Sequence, residues 1–106
     1  MIRVYIASPY TIGDKDENVK VQLDAASELI DRGYAPFAPL LSHFIHLHHE
    51  KDYNVWLNQC FEWIPQCDCM LRLPGTSNGA DKEVIYANEL GIPVFYSHNE
   101  LYGAIL

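Results

Sequence analysis

The sequence predicts an α/β protein: a single domain, residues 1–106, built as a three-layer sandwich around a sheet of four or five mainly parallel strands. Two observations predict this fold class. Short apolar runs alternate with helical segments in the order strand, helix, strand, helix, strand, helix, strand, and such alternation is typical of a parallel sheet with helices on both faces. The apolar runs also lack a regular polar alternation, as expected of strands that are buried on both faces.

The first strand and helix have the clearest signals. The run IRVYIA, residues 2–7, is apolar and rich in β-branched residues, which predicts a buried strand. Asp14 or Asp16 is suited to cap the helix that follows. Residues 17–32 carry one apolar stripe at helical spacing, which predicts a core-facing side, and Gly33 is placed to end the helix. The predicted stripe consists of Val19, Leu23, Ala26 and Ile30.

The later elements follow the same alternation. Two prolines in the run YAPFAPL predict an edge strand or a ragged strand end. Pro65 is expected to end the second helix. The predicted ranges are a strand over 34–40, a helix over 53–64, a strand over 69–73, a helix over 80–90, a strand over 92–96 and a short helix over 99–106; residues 42–52 stay unassigned. The expected core-facing residues of the second and third helices are Val55 or Trp56, Cys60, Trp63 or Ile64, Val84, Ala87 and Leu90. The predicted fold is of the flavodoxin- or Rossmann-like type.

Composition narrows the classes of partner. The formal net charge is −7 and only 7 residues are Lys or Arg, which argues against a surface that binds the backbone of a nucleic acid polymer. A small anion needs no such surface, because backbone N–H groups at a helix N-terminus bind anions. No apolar run is long enough to cross a membrane. The 3 cysteines leave at least one thiol unpaired, which suits a reducing compartment, so we expect a cytoplasmic protein.

Two loops follow predicted strands and carry suitable chemistry. Open parallel sheets bind ligands beyond the carboxyl ends of their strands, where the loop ASPYT and the loop PGTSNGADKE are expected to meet. In the second loop, Gly75 and Gly79 let a ligand approach the backbone, and the following helix favours an anion at its N-terminus. Glu83 lies about one turn into that helix, and its side chain leans back toward the loop. The alternative is an ordinary turn followed by an acidic residue that suits the helix dipole.

Three segments together resemble a known group of proteins. IASPYT, SNGADKEVIYA and the CD pair before the third strand are similar to motifs of the nucleoside 2-deoxyribosyltransferase-like superfamily, which includes small nucleotide N-glycosidases and many uncharacterised phage and bacterial members. The resemblance runs from Ile6 to about Val94. It implies a compact parallel α/β sandwich, no cofactor and no metal. It also implies assembly into homodimers or higher homo-oligomers, in which neighbouring subunits complete each other's sites.

The resemblance assigns roles to five residues. Glu83 matches the catalytic glutamate that attacks C1′ of the sugar, and Gly79 matches the loop glycine. Ser77 matches a position where deoxyribosyltransferases tend to have Asp and monophosphate-cleaving relatives tend to have Ser, which binds the 5′-phosphate. Ser8 matches a residue that helps to hold the phosphate or sugar. Tyr10, in the same loop, is expected to stack on the base or to bond the nucleophile.

One position departs from the pattern. Relatives often carry an Asp that helps to protonate the leaving base, and Cys60 stands there instead; an unperturbed thiol is a poor acid for this step. Asp52, Glu62 and Asp81 are the candidate replacements, and the sequence does not choose among them. His43 follows the second predicted strand and is expected at the rim of the substrate site. The histidines at 43, 46, 48 and 49 complete no known metal-ligand spacing.

The sequence and the resemblance together predict an enzyme. It would cleave or transfer the N-glycosidic bond of a (deoxy)nucleoside 5′-monophosphate or related nucleotide, with Glu83 as the nucleophile, and act as either a hydrolase or a deoxyribosyltransferase. Two alternatives stay open. One is a module that binds a nucleotide in the same pocket without turning it over, which Cys60 favours. The other is an interaction protein that keeps the fold and has lost the pocket.

Overall fold

The computed structural model describes residues 1–104, and these form four strands and five α-helices. The elements are β1 (Arg3–Ala7), α1 (Lys15–Asp31), β2 (Ala35–Phe37), α2 (Ser42–His48), α3 (Tyr53–Trp63), β3 (Cys69–Arg72), α4 (Asn78–Glu89), β4 (Val94–Phe95) and α5 (His98–Gly103). The strands pair in the order β2-β1-β3-β4, and every pairing is parallel. The predicted α/β class and parallel sheet are therefore confirmed.

The central strand β1 shows why the protein has three layers. Val4 and Ile6 point to one face of the sheet and pack in a cluster with residues of α1 and α5. Tyr5 and Ala7 point to the opposite face and pack with residues of α3 and α4. All four side chains are fully buried. Because successive side chains of a strand point to opposite faces, a strand that is apolar at every position requires a helix layer on each side.

The outer strands are shorter than predicted. The edge strand β2 pairs only over Ala35–Phe37, where the prolines at 36 and 39 limit the hydrogen-bonding ladder. At the opposite edge, β4 spans two residues rather than the predicted five. The edge position predicted for the second strand is confirmed, and the sheet of residues 1–104 has four strands.

The structure corrects the predicted face of α1. Ile30, placed in the core-facing stripe, is 61% exposed, whereas its neighbour Leu29 is fully buried. The buried residues are Val19, Gln22, Ala25, Ala26 and Leu29. A polar residue, Gln22, lies in the middle of this buried face. Because the prediction used only apolar residues, it placed the buried face on a different side of the helix. The predicted cap is confirmed, because Asp14 Oδ1 accepts hydrogen bonds from the N–H groups of Asp16 and Glu17.

The later helices differ from the predictions in detail. Residues 42–48 form α2, where the sequence made no assignment. Of the expected pair Trp63 or Ile64, Ile64 is the core residue and is fully buried, whereas Leu90, expected in the core, is exposed. The final helix α5 ends at Gly103, and the last two residues of the predicted 99–106 segment lie outside the described part of the chain. The longest helix, α1, has 17 residues, and no helix within residues 1–104 is long and apolar enough to cross a membrane.

The loops that follow β1 and β3 touch at Gly75. This residue has φ +119°, and a Cβ built on it would lie 2.7 Å from Cγ of Pro9. Both the backbone conformation and the space therefore exclude a side chain. The contact holds the two loops together at the carboxyl end of the sheet.

Gly75→Ala should lower the free energy of unfolding by about 2 kcal/mol or more, because it combines a disfavoured φ with an overlap at Pro9. Urea denaturation measures the change. Gly13→Ala is the matched control for backbone strain alone, since Gly13 has φ +88° and no atom within 4 Å. Equal losses for the two variants would contradict a role for the Pro9 contact.

Candidate active site

The strand order places a cleft between the first and third strands. In the order β2-β1-β3-β4, the chain leaves β1 toward one edge and later returns to continue toward the other, and ligands of open α/β sheets bind at such a reversal. A cleft of about 360 Å³ lies at this point, a volume suited to a small ligand. Its walls include seven of the nine residues that the sequence analysis singled out: Ser8, Tyr10, His43, Asp52, Ser77, Gly79 and Glu83.

Glu83 is the buried acid of the cleft. Its side chain comes from the second turn of α4 and is only 8% exposed, and its Oε2 atom has no hydrogen-bond partner among the described residues. Burial raises the pKa of Glu83 to about 7, and the Tyr5 hydroxyl and the Arg72 guanidinium partly offset this rise. The carboxyl group therefore gains and loses its proton near neutral pH.

Two neutral side chains, Tyr5 and Cys60, lie near Glu83. Tyr5 on β1 is fully buried, and its hydroxyl lies close to the Glu83 carboxyl and the Cys60 thiol without meeting the geometry of a full hydrogen bond. Burial and then the charge of Glu83 raise the pKa of Tyr5 well above its usual value. Burial and the same charge raise the pKa of the Cys60 thiol to about 11. Cys60 thus lines the cleft as a neutral thiol.

Arg72 fixes the loop after β3 and does not line the cleft. Its guanidinium is buried, donates hydrogen bonds to the carbonyl oxygens of Leu73 and Gly75, and forms an ion pair with Asp81 at 3.2 Å. The charge of Arg72 therefore holds the loop in shape and also favours the ionised form of Glu83.

Two of the three candidate acids lie away from the cleft. The side chain of Asp81 is 65% exposed and faces Arg72, and Glu62 is exposed on α3. Neither belongs to the cleft walls, whereas Asp52, the residue before α3, does.

The N-terminus of α4 forms one wall. Ser77 caps this helix, with its Oγ accepting a hydrogen bond from the N–H of Ala80 at 3.1 Å, so α4 begins two residues before the predicted start at Ala80. The hydroxyl proton of Ser77 and the first N–H groups of the helix are left to face a ligand. Gly79 makes room, because a Cβ there would lie 3.3 Å from the Tyr53 hydroxyl.

Gln22 orients Ser8 on the opposite wall. The Gln22 amide nitrogen donates to Ser8 Oγ at 2.8 Å and to the Ile6 carbonyl oxygen at 3.3 Å, and its Oε1 accepts from the N–H of Leu40 at 2.8 Å. Because Ser8 Oγ already accepts a hydrogen bond, its own proton is available to donate into the cleft. Gln22 is fully buried, so this polar group joins α1 to the ends of β1 and β2 without contact with water.

Tyr10 and His43 form a pair on the rim. The Tyr10 oxygen and His43 Nδ1 are 2.6 Å apart, and His43 Nε2 lies 3.5 Å from Asp16 Oδ1. Burial and then the charge of Asp16 raise the pKa of Tyr10, so its hydroxyl stays protonated. In neutral His43 we therefore assign Nδ1 as the acceptor of the Tyr10 proton and Nε2–H as the group that faces Asp16.

A second histidine on α2 is held in a different way. His46 Nδ1 accepts hydrogen bonds from the Trp56 indole N–H at 2.9 Å and from the N–H of Lys51 at 3.2 Å. Both donors carry fixed protons, so this nitrogen is unprotonated and Nε2 carries the hydrogen. His43 and His46 are three residues apart on one helix, and both line the cleft.

Sequence reasoning missed four residues of the site, namely Tyr5, Gln22, His46 and Trp56. Tyr5 was counted as part of an apolar strand, and Gln22 as a polar interruption of a helix. The histidine cluster did contain a signal, because positions 43 and 46 share a helix face, but α2 itself was not predicted. Among residues 1–104, no group of three His, Cys, Asp or Glu side chains is arranged to hold a metal ion.

Comparisons with known proteins agree on the fold. A family model described as a domain of unknown function, DUF7768, matches residues 2–97. No curated protein matches the chain. Among solved structures, a 2-deoxyribosyltransferase from Bacillus psychrosaccharolyticus superposes with a TM-score of 0.69 at 19% identity, covering 98% of this chain and 93% of that chain. A 2-desoxiribosyltransferase from Leishmania mexicana gives a TM-score of 0.66 at 18% identity, covering 100% and 74%. The fold is therefore that of the nucleoside 2-deoxyribosyltransferase-like proteins.

The raised pKa of Glu83 has a consequence for stability. An acid whose pKa rises on folding binds its proton more tightly in the folded state, so stability falls as pH increases between the unfolded value, near 4.5, and about 7. Glu83→Gln should therefore be more stable than the wild type at about pH 8, by up to about 3 kcal/mol, and should lose most of this advantage below about pH 4.5. Chemical denaturation across this range measures the difference.

The exposed Glu89, on the same helix, supplies the control variant Glu89→Gln, which should show no such dependence on pH. A difference between Glu83→Gln and the wild type that stays constant across the range would contradict a buried acid with a raised pKa.

Proposed function

This chain belongs to the DUF7768 family, and from its deoxyribosyltransferase-like fold and its cleft we propose that it cleaves or transfers the N-glycosidic bond of a (deoxy)nucleoside 5′-monophosphate or related nucleotide. The observation that carries the proposal is the buried Glu83 carboxyl, whose Oε2 has no partner in the described chain. Glu83 also lines the cleft, and a buried acid with a perturbed pKa in a cleft is a candidate functional group. The substrate is then a small molecule.

Glu83 is the proposed nucleophile at C1′ of the sugar. With a pKa of about 7, a large fraction of the molecules carry the carboxylate at neutral pH, and that carboxylate is poorly solvated and therefore reactive. Attack on C1′ would release the base and leave the sugar as an ester on Glu83. Water would then hydrolyse the ester, or a second base would take up the sugar, as in the two-step mechanism of retaining glycosidases.

The N-terminus of α4 supports a 5′-phosphate as the second anchor. Ser77 and Gly79 line the cleft together with Glu83, and the first N–H groups of a helix favour an anion. Ser8, oriented by Gln22, would add a hydroxyl donor from the opposite wall. These donors are all neutral and would hold a phosphate by hydrogen bonds and the helix dipole, and the ammonium groups of Lys15 and Lys51 also line the cleft.

The two solved neighbours support transfer of a sugar as the reaction class, because both are named as 2-deoxyribosyltransferases. We also propose that residues 1–106 form one domain that assembles as a homodimer or higher homo-oligomer in the cytoplasm. Exposed apolar side chains on α2 and α3 support an assembly, since large exposed apolar groups favour contacts between protein chains; they are Phe44, Ile45, Leu47, Val55 and Trp63.

The alternative function is a module that binds a nucleotide without turning it over. Cys60 favours it, because this neutral thiol lies next to Glu83 where relatives often carry an acid. Binding of a nucleoside monophosphate by calorimetry without release of free base over days would support this alternative. A raised melting temperature alone would not separate the two, because any ligand of the folded state stabilises it.

Glu83→Gln should slow the release of free base from a panel of nucleoside monophosphates by about 1,000-fold or more, since it removes the nucleophile. Chromatography of the free base measures this rate. Mass spectrometry of the wild type during turnover should detect the sugar ester on the peptide that contains Glu83.

Glu89→Gln is again the matched control, because Glu89 is exposed on the same helix and outside the cleft. Its rate should stay within about twofold of the wild type. Wild-type rates in the Glu83→Gln protein would rule out the proposed enzyme.

Ser77→Asp should change the preferred substrate and leave the fold intact. Asp caps helices as well as Ser does, so the melting temperature should change little, whereas the new charge should repel a 5′-phosphate. We expect kcat/KM for the monophosphate to fall about 100-fold and kcat/KM for the free nucleoside to stay within about threefold. An equal fall for both substrates would contradict a phosphate site at Ser77.

A further inference from the structure

Release of the base requires a proton, and the cleft holds no obvious carboxylic acid to give it. The need for a proton donor rests on the proposed function. Cys60 is a neutral thiol with a high pKa, and Glu62 and Asp81 lie outside the cleft walls. Glu50 and Asp52 line the cleft but are exposed, which leaves both carboxyls in water. A proton donor of another chemical type would therefore have to act here.

The rim of the cleft carries a connected chain of three titratable groups from three elements. Tyr10 lies in the loop after β1, His43 on α2 and Asp16 on α1. The Tyr10 oxygen is 2.6 Å from His43 Nδ1, and Asp16 Oδ1 is 3.5 Å from His43 Nε2. The imidazole is buried, and the two rings meet edge to face at a centroid distance of 5.5 Å. The imidazole is thus held between a hydroxyl that lines the cleft and a carboxylate that faces water.

We propose that Tyr10, His43 and Asp16 form a proton relay that protonates the leaving base. Histidine is the side chain that exchanges a proton near neutral pH. The Asp16 carboxylate stabilises the imidazolium and is itself in contact with solvent. Tyr10 carries the proton from the buried ring to the ligand in the cleft.

In the first step, Glu83 displaces the base from C1′. The Glu83 carboxylate forms a bond to C1′ while the bond from C1′ to the base nitrogen breaks, and the electron pair of that bond stays on the base. The base takes the hydroxyl proton of Tyr10, and the Tyr10 oxygen takes the proton of His43 Nδ1. The base leaves neutral, His43 becomes neutral, and the sugar is an ester of Glu83.

The second step restores the relay. Water attacks the glycosyl ester, and Glu83 leaves as a carboxylate. The proton that the water loses passes to the Tyr10 oxygen as the Tyr10 proton passes back to His43 Nδ1. The imidazolium is then ready for the next substrate, and the whole cycle consumes one water molecule and releases one free base and one sugar.

The other histidine of the cleft is unsuited to this role. His46 Nδ1 already accepts two hydrogen bonds, from Trp56 and from the N–H of Lys51, so a proton on that nitrogen would break both. No carboxylate forms an ion pair with His46 in the described chain. Near the relay, the Lys15 ammonium lies 5.5 Å from the centre of the Tyr10 ring.

A comparison of two substrates tests whether Tyr10 and His43 donate a proton or act in some other way. We compare a purine nucleoside monophosphate that the protein accepts with its N7-methylated counterpart, whose positively charged base leaves without taking up a proton. His43→Gln should slow the first substrate about 100-fold, the usual contribution of a general acid. The methylated substrate should stay within about threefold of the wild-type rate. Tyr10→Phe should behave in the same way, so the outcome does not depend on how one variant folds.

His48→Ala is the control, because His48 is exposed on α2 and does not line the cleft; neither substrate should change beyond about twofold. An equal loss on both substrates for His43→Gln and Tyr10→Phe would overturn the relay and leave these residues with a structural role. If Glu83→Gln still abolishes cleavage of both substrates in that case, the proposed function stands. If Glu83→Gln has no effect, the proposed function fails first.

Discussion

The exclusion of water from one carboxyl group is the constraint on which the rest of the site depends. Glu83 is buried on α4 beneath the loops after β1 and β3, and burial of an ionisable group without a full set of partners costs stability. The Arg72 guanidinium offsets part of this cost from outside the cleft, while it shapes the loop through Leu73 and Gly75. The carboxyl group is thus held in the protein interior without a full set of hydrogen-bond partners among the described residues.

The walls of the cleft are assembled from polar residues that the fold holds in fixed orientations. Gln22 joins α1 to Ser8 and to the end of β2, with no contact with water. Ser77 caps α4, and Gly79 leaves space for the Tyr53 hydroxyl. Each of these groups uses part of its hydrogen-bonding capacity inside the protein and keeps a donor for the cleft. Such preorganisation favours binding and catalysis, because little ordering remains when a ligand arrives.

The neutral thiol of Cys60 suits this arrangement. A second carboxylate at that position would face Glu83 across a water-poor space, and two like charges in such a space raise each other's pKa. The structure has a neutral thiol there, and the Tyr10–His43 pair lies on the rim of the cleft. In the proposed relay, the proton donor and the nucleophile act from different walls of the cleft. The charge of one group therefore has a smaller effect on the pKa of the other.

The sequence by itself determined the α/β alternation, the edge position of the second strand, an aspartate cap at the start of α1, and the placing of an acid after a glycine-containing loop, because these features depend on neighbouring residues. It did not determine α2, the buried face of α1 or the partners of Tyr5 and His43. Only the tertiary structure decided those, along with the high pKa of Glu83, because each depends on residues far apart in the chain. Tyr10 meets His43 across 33 positions, and no local pattern of residues encodes such a contact.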